Sequence, residues 1–309
     1  REVEPENKYL MVTDADAWVL LEQLEKVQPR FAHYAFRHAC GMPPCPETAG
    51  VVQWLKENNS KIGRIVESDL KTARTVTFDL SAGSREIANP TELADLDGFT
   101  RKLFERMRAA NAAAGIGRYN EARLVYTSEL FQSASNDGPE WRTAHLGLDI
   151  FMEPGSPVFA PLDATVYSFR NNAGPLDYGP TIILQHSPAA GVTFYTLYGH
   201  LSADSLDNLR EGMHVKQGTR IAEIGNAAVN GGWPPHLHFQ IITDLMGRQG
   251  DFPGVARPSE RSIWLSASPD PNLIAGLPAG DTAQPEWSPE QIAAARRQRI
   301  GPNLSLTYR

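Results

Sequence analysis

The second half of the chain is a series of short apolar runs separated by turns, and this pattern constrains the fold most strongly. From Trp141 onward the clearest runs are TVYSFRN, TIILQHS, VTFYTLYGHL, RIAEIG and HLHFQII, with Gly, Pro and Asn between them. Short runs bounded by turn residues favour antiparallel strands over a series of β-α-β units. The sequence therefore predicts an antiparallel sheet for this part of the chain.

The first 70 residues instead show helical periodicity. Asp14 is suited to cap a helix over DADAWVLLEQLEKV, and further helices are predicted over 30–39, from Glu47 through VVQWLKENN, and across IGRIVESDL. This stretch carries no acid-base or metal-ligand cluster, so we interpret it as a packing or partner-binding region. Its removal is expected to leave metal binding intact while reducing solubility or association with a neighbouring module.

The middle of the chain combines both patterns. ARTVTFDL and EARLVYTS read as strands, and FTRKLFERMRAANAA reads as an amphipathic helix with Phe99, Leu103, Phe104 and Met107 on its apolar side. The predicted fold class is α+β, an antiparallel sheet preceded by a mainly helical region. The expected units are a helical region over 1–70, a sheet module over 71–280 with its core at 141–244, and a linker and helix over 281–309.

Composition limits the possible partners and location. The formal net charge of −7 argues against nucleic-acid and anionic-membrane partners. No apolar run approaches the roughly 18 residues of a membrane-spanning helix, and REVEPENKYL has no signal-peptide pattern. Cys40 and Cys45 are read as two reduced structural thiols rather than a disulfide, which suits a cytoplasmic protein.

Five residues in three motifs form a candidate site. They are His145 and Asp149 in AHLGLD, His200 in YGHLS, and His236 and His238 in PPHLHFQI. The two outer motifs supply imidazole and carboxylate groups of the kind that hold a catalytic zinc, with a fourth position left for water. In a strand the two histidines of the last motif point to the same face, roughly 6–7 Å apart, and so can serve one metal site.

The sequence segments around these residues resemble those of a known family. GLDIFMEPGSPVFAPLDATV, TLYGHLS, EGMHVKQGTRIAEIG and PPHLHFQI are similar to the lysostaphin/LytM-like zinc endopeptidases, and the resemblance covers roughly Trp141 to Asp244. That family is best known for cutting peptide cross-links in bacterial cell walls. The resemblance implies a folded antiparallel sheet with the metal in a groove along its face.

The resemblance also implies a role for each site residue. His145, Asp149 and His238 would bind zinc, while His200 and His236 would be catalytic. Zinc brings the pKa of its water towards about 7, a nearby imidazole can accept the remaining proton, and another can hydrogen-bond the oxyanion. Which of the two catalytic histidines is the base is left open.

Two functions fit these residues. The first is a zinc-dependent endopeptidase-like hydrolase that cleaves a peptide or amide bond. The alternative is a non-hydrolytic metal-binding scaffold that positions a substrate for neighbouring enzymes. His200 and His236 favour the hydrolase, because a purely structural metal site has no need for them.

Other residues near the motifs receive weaker interpretations. Trp233 either covers the substrate or packs beneath its loop, and Gln240 stands where the family often has Glu and is not expected to touch a ligand. The remaining histidines are read as structural, and they are His33, His38, His186 and His214.

The C-terminal segment SPEQIAAARRQRIGPNLSLTYR resembles the lead-in to a class III, pyridoxal-phosphate-dependent aminotransferase-like module. In proteins of that kind a phosphotransferase-like module comes first and the lysostaphin-like module lies in the middle. The resemblance implies neighbouring catalytic modules of the same polypeptide as partners, beside a peptide-like substrate. It also favours a cytoplasmic location and makes peptidoglycan a less expected substrate. No lysine of this chain is assigned to pyridoxal phosphate.

Overall fold

The computed structural model describes residues 30–84, 87, 95–123, 125–126, 131–135, 138–285 and 287–300. The helix expected after Asp14 lies outside these residues. Within them the helices are α1 Arg30–Ala39, α2 Glu47–Glu57, α3 Leu96–Ala109, α4 Arg261–Ala267, α5 Asn272–Ala275, α6 Ala279–Thr282 and α7 Pro289–Ile300. Short 3-10 turns cover Asn59–Lys61, Ala203–Leu206 and Pro258–Glu260. Across this part of the chain, no helix has the length and apolar character needed to cross a bilayer.

The strands occupy mainly the second half of the chain, as the apolar runs predict. They are β1 Thr75–Phe78, β2 Ala114–Gly117, β3 Gln132–Ser135, β4 Gly138–Trp141, β5 Ala144–His145, β6 Leu148–Phe151, β7 Pro157–Phe159, β8 Ala164–Asn172, β9 Gly179–Ala189, β10 Val192–Gly199, β11 His214–Val215, β12 Arg220–Glu223, β13 His236–Ile242 and β14 Val255–Ala256.

Eight of these strands form one sheet in the order β1-β2-β6-β13-β10-β9-β8-β11. Every neighbouring pair in it is antiparallel except β1 and β2, which run parallel. A parallel pair requires a crossover connection, and α3 lies in that connection. The predicted α+β class with a mainly antiparallel sheet is confirmed.

Strand β13 shows how alternation divides the core from the site. Leu237, Phe239 and Ile241 are fully buried in the main hydrophobic cluster of the sheet. His236 and His238 alternate with them, so they lie on the opposite face. Because side chains alternate along the strand, one face of β13 contributes to the core and the other carries the two imidazoles.

The helix predicted across IGRIVESDL is wrong. Residues 62–70 form no helix. Four apolar residues of this segment are nevertheless buried in the main cluster, and they are Ile62, Ile65, Val66 and Leu70. Val66 forms a β-bridge with Val158, and the Ile65 carbonyl accepts a hydrogen bond from the next residue of β7. The apolar spacing matched a helix, but this backbone is paired with a strand.

The N-terminal helices pack on the sheet module. Val51 and Leu55 of α2 belong to the main cluster, and Phe31 of α1 stacks on Trp264 of α4 with ring centroids 4.8 Å apart. Deleting residues 1–70 would thus remove part of the sheet's own core, and a folded, zinc-binding remainder is no longer expected. The unit boundaries at 70 and 280 stay predictions.

Two elements differ from expectation for local reasons. Helix α3 begins before the predicted FTRKL because the Asp95 carboxylate accepts a hydrogen bond from the Gly98 amide at 2.9 Å, which caps its first turn. The strand predicted over EARLVYTS is reduced, in its described residues, to isolated bridges at Ala122 and Arg123. Glu121 and Arg123 point inward there and form buried ion pairs.

His186 gives the fold a dependence on pH that lies away from the candidate site. It is fully buried, with Nδ1 donating to the Asp163 carbonyl at 3.1 Å and Nε2 2.8 Å from the Thr196 hydroxyl. Burial lowers the pKa of His186 to about 4 from its ordinary 6.5. As the pH falls, the His186 imidazole is therefore protonated in the unfolded chain before it is protonated in the folded protein. The contribution of His186 to the free energy of unfolding is complete above pH 6.5 and declines towards pH 4.

We expect His186→Gln to lose less stability than the parent protein when the pH falls through this window. The difference amounts to about 3 kcal/mol if the whole pKa shift acts on the unfolding equilibrium. Denaturant titrations at a series of pH values measure it. A stability difference between the two proteins that stays constant across the window would contradict the assignment.

Candidate active site

The five predicted site residues meet at one end of the sheet's middle strands. In the register of β6 and β13, His238 lies opposite Asp149, and His145 is carried by the short strand β5 just before β6. His200 directly follows β10, whose last residue lies opposite His238. All five side chains are buried, with exposed fractions of 1–5%. Residues far apart in the chain are thus brought together by antiparallel pairing.

Three potential ligand atoms converge in this cluster. His145 Nε2 lies 3.1 Å from His238 Nδ1, and Asp149 Oδ1 lies 3.2 Å from each of these nitrogens. For bonds of about 2.0–2.1 Å in a tetrahedron, ligand atoms lie about 3.3 Å apart. The three atoms therefore already stand near the spacing that one zinc ion requires.

The hydrogen bonds on the far side of each imidazole fix which nitrogen carries a proton. His145 Nδ1 lies 2.9 Å from the Arg118 carbonyl, which only accepts, so Nδ1 donates and Nε2 keeps its lone pair. His238 Nε2 lies 3.0 Å from Gln240 Oε1. The Gln240 amide nitrogen donates to a backbone carbonyl and to the Ser268 hydroxyl, so its oxygen faces His238 and leaves the lone pair on Nδ1.

In the neutral forms of both imidazoles, two lone pairs thus face a carboxylate oxygen. Such a set of acceptors repels itself unless a cation binds at its centre. Imidazole and carboxylate together suit zinc, and each ligand is oriented by a partner on its outer side, as in known metal sites. The residues present fit a zinc ion.

Burial and charge set the protonation of the cluster. Burial, with a contribution from Arg123, lowers the pKa of His145 to about 4. Burial alone would raise the pKa of Asp149, but His145 and the Arg123 guanidinium hold it well below its usual range. Burial also lowers the pKa of His236, and lowers that of His200 well below its ordinary value. The site therefore presents His145, His200 and His236 as neutral imidazoles beside the Asp149 carboxylate.

His200 and His236 stand beside the three ligand atoms and are not part of that set. Their ring centroids lie 4.3 Å apart, and His236 Nε2 lies 3.7 Å from Asp149 Oδ1. Nδ1 of His200 donates to the Asn230 carbonyl at 2.9 Å, and Nδ1 of His236 donates to the Pro234 carbonyl at 2.6 Å. Both imidazoles consequently keep an available lone pair at Nε2, the atom that a base uses.

The backbone at His200 is held in a conformation that side chains disfavour. Its φ is 63°, in the left-handed region. Its amide donates to the Tyr178 carbonyl and its carbonyl accepts from the Gly225 amide, each at 2.8 Å. Such a conformation costs on the order of 1–3 kcal/mol and persists only where the surroundings enforce it. The fold thus constrains the direction of this imidazole.

A cavity of about 260 Å³ opens onto the cluster. Aromatic side chains form much of its wall, and they are Phe99, Tyr126, Phe131, Phe151, Tyr178, Trp233 and Phe252. The indole of Trp233 stands near His200, with ring centroids 6.4 Å apart, and near Tyr126 at 6.1 Å. Trp233 therefore lines the cavity and packs against its aromatic wall, and its role in covering a substrate stays a prediction.

Gly147 explains why the first motif needs a glycine. A Cβ at this position would lie 2.5 Å from both Cε1 and Nε2 of His238. We therefore expect Gly147→Ala to displace this imidazole and to weaken zinc binding about 10–100-fold, the usual effect of disturbing the support of a ligand. Competition with a chromophoric chelator measures the change.

A glycine without such a neighbour provides the control for this substitution. A Cβ on Gly50, within α2, would meet nothing within 4 Å. Gly50→Ala should keep the affinity of the parent protein. Equal zinc affinity in Gly147→Ala and Gly50→Ala would contradict the placement of His238.

Sequence reasoning missed several residues that support the ligands. The prediction that Gln240 touches no ligand is wrong, because its side-chain oxygen accepts a hydrogen bond from His238. Arg118, Glu121 and Arg123 belong to no recognised motif in the sequence, yet Arg123 binds the second oxygen of Asp149. The available signal was a glutamate and an arginine two residues apart on one face of a predicted strand.

Comparison with known proteins agrees with this geometry. Residues 143–250 match the family model of Peptidase family M23. An uncharacterized metalloprotease of Haemophilus influenzae is 38% identical over 128 residues, which are 41% of this chain and 25% of that protein. The chain thus covers about a quarter of that curated relative.

Two solved structures are also similar in sequence. A zinc-containing peptidase from Vibrio cholerae is 29% identical, with 32% of this chain and 27% of that chain covered and a TM-score of 0.26. The catalytic domain of lysostaphin from Staphylococcus simulans is 28% identical, with 39% of this chain and 80% of that chain covered and a TM-score of 0.27. All five residues of the candidate site lie within residues 143–250, the part of the chain that matches the peptidase M23 family model.

Proposed function

We propose that this chain is a zinc-dependent endopeptidase-like hydrolase that cleaves a peptide or amide bond with water. One observation carries the proposal, the convergence of His145 Nε2, Asp149 Oδ1 and His238 Nδ1 at 3.1–3.2 Å. The family match over residues 143–250 supports a metallopeptidase, and the donor set supports zinc.

Zinc bound by these three residues would supply a Lewis acid that polarises the scissile carbonyl and acidifies water. The chain's own residues would handle the protons. Nε2 of His200 or His236 accepts a proton from water as its oxygen bonds to the carbonyl carbon. The same nitrogen returns that proton to the leaving amine as the carbon–nitrogen bond breaks, which yields a carboxylic acid and an amine.

The two imidazoles are suited to this task by their environment. Both are neutral and buried, both have Nδ1 tied to a backbone carbonyl, and both therefore offer Nε2 alone for proton transfer. Once protonated, the same atom becomes a hydrogen-bond donor that can stabilise the oxyanion. Variants of each residue distinguish which imidazole is the base and which stabilises the oxyanion.

The substrate proposed here is a peptide-like or amide-containing molecule. The neighbouring catalytic modules and the cytoplasmic location remain expectations from the sequence. A purely scaffolding role is less well supported, because it gives no reason to keep two neutral imidazoles beside the ligand set.

A panel of glycyl and D-amino-acid peptides tests the proposal. The zinc-loaded chain should cleave at least one of them, the chelated protein should cleave none, and added zinc should restore cleavage, as followed by mass spectrometry. A zinc-bound chain that cleaves no member of the panel would support the scaffold instead.

A further inference from the structure

Arg123 lies directly behind the candidate metal ligands and is almost completely buried, with 3% of its surface exposed. We propose that Arg123, anchored by Glu121, is a positioning residue of the metal site that holds Asp149 so that it offers a single oxygen to the metal. The proposal rests on the proposed function to the extent that zinc binds at His145, Asp149 and His238.

The two oxygens of Asp149 have separate partners. Oδ1 faces the lone pairs of His145 and His238 at 3.2 Å, whereas Oδ2 accepts a hydrogen bond from Arg123 Nη1 at 2.5 Å. A charge-assisted bond of this length is strong. With Oδ2 held by Arg123, Asp149 would bind a zinc ion through Oδ1 alone, which would leave a coordination position for water or substrate.

The other nitrogens of the Arg123 guanidinium also donate hydrogen bonds. Arg123 Nε donates to Glu121 Oε2 at 2.9 Å, and Nη2 donates to the Arg118 carbonyl at 3.2 Å. Glu121 has a fully buried side chain and also accepts from Arg118 Nη1 at 2.9 Å and from the Leu80 amide at 3.2 Å. The arginine therefore has one available orientation.

One backbone carbonyl links Arg123 to a second ligand, His145. The Arg118 carbonyl accepts from Arg123 Nη2 and also from His145 Nδ1, the latter at 2.9 Å. A displacement of Arg123 would thus disturb His145 as well as Asp149. This shared acceptor ties the arginine to metal binding by a second route that is independent of the carboxylate.

The backbone of β2 leaves room for this arrangement. A Cβ on Gly117 would lie 2.8 Å from Arg123 Nη2 and 3.1 Å from the Asp149 Cβ. A glycine at this position allows the guanidinium and the carboxylate to meet beneath the strand. Buried ion pairs contribute little to stability compared with apolar packing, so a purely structural role explains this network poorly.

Arg123→Lys and Arg123→Met test the proposal, with zinc affinity and the visible spectrum of the cobalt-substituted protein as readouts. Lysine keeps the charge but lacks the planar fork that reaches Asp149, Glu121 and the carbonyl together. Both variants should therefore bind zinc about 10–100-fold more weakly. Their cobalt absorption should lose intensity as Asp149 becomes free to bind through both oxygens and the coordination number rises.

Arg220→Met is the matched control, because this arginine pairs with Glu223 on an exposed surface at i,i+3. It should keep the parent affinity and spectrum. Circular dichroism checks that each variant is folded. If neither Arg123 variant folds, Glu121→Gln replaces them, since it leaves the arginine in place and removes only its anchor.

Folded Arg123 variants with the parent zinc affinity and cobalt spectrum would overturn the proposal, as would Glu121→Gln with both unchanged. No readout requires substrate, so a failure to hydrolyse any peptide does not affect the result. Parent protein that binds no zinc at all would instead contradict the proposed function, and this proposal with it.

Discussion

Replacing His238 by alanine is expected to abolish stoichiometric zinc binding. The parent chain should hold about one zinc, because three neutral or anionic ligands are the protein's share of a catalytic zinc site. The variant keeps only His145 and Asp149, and its enlarged cavity admits water. Elemental analysis after dialysis against zinc-free buffer measures the difference.

His214→Ala is the control for this loss, since His214 is exposed on β11 and has no assigned role. It should keep the zinc content of the parent chain. Equal zinc in the His238 variant and the control would show that the ion binds elsewhere.

Replacing His200 or His236 by alanine should leave zinc binding unchanged and reduce turnover. Zinc content should stay at the parent value, because neither residue belongs to the three converging ligands. Turnover on a confirmed peptide substrate should fall on the order of a hundredfold or more, the usual weight of a positioned acid-base group. Metal analysis and initial rates on the same preparations separate the two effects.

The pH dependence of each variant then distinguishes the base from its neighbour. Removal of the base should eliminate the acidic limb of the kcat profile, whereas removal of the other imidazole should lower kcat and keep that limb. A variant of either histidine with parent rates on a confirmed substrate would show that its assigned role is wrong.

The fold could be predicted where local pattern and tertiary pairing agree. Strand β13 shows a period of two in its sequence, and the structure uses both faces accordingly. The error at residues 62–70 arose because apolar spacing alone does not distinguish a helix from an irregular segment that packs on a strand. Ile65 and Val66 owe their conformation to β7, which comes about ninety residues later.

The five residues at the centre of the site could be predicted because each lies in a short motif of distinctive composition. The residues that orient the ligands could not be predicted, because their roles depend on contacts between distant segments of the chain. Arg123 reaches Asp149 across 26 positions of the chain, and Gln240 Oε1 faces His238 only because its amide nitrogen bonds Ser268. Geometry of that kind becomes visible only in three dimensions.

X-ray absorption spectroscopy at the zinc edge identifies the ligands of the bound ion directly. We expect nitrogen and oxygen ligands at about 2.0–2.2 Å from zinc, with the more distant scattering of two imidazoles and no sulfur. We also expect that one of these imidazoles disappears in His145→Ala protein reloaded at high zinc. A shell that contains sulfur, or one without imidazole scattering, would contradict a His145–Asp149–His238 zinc site.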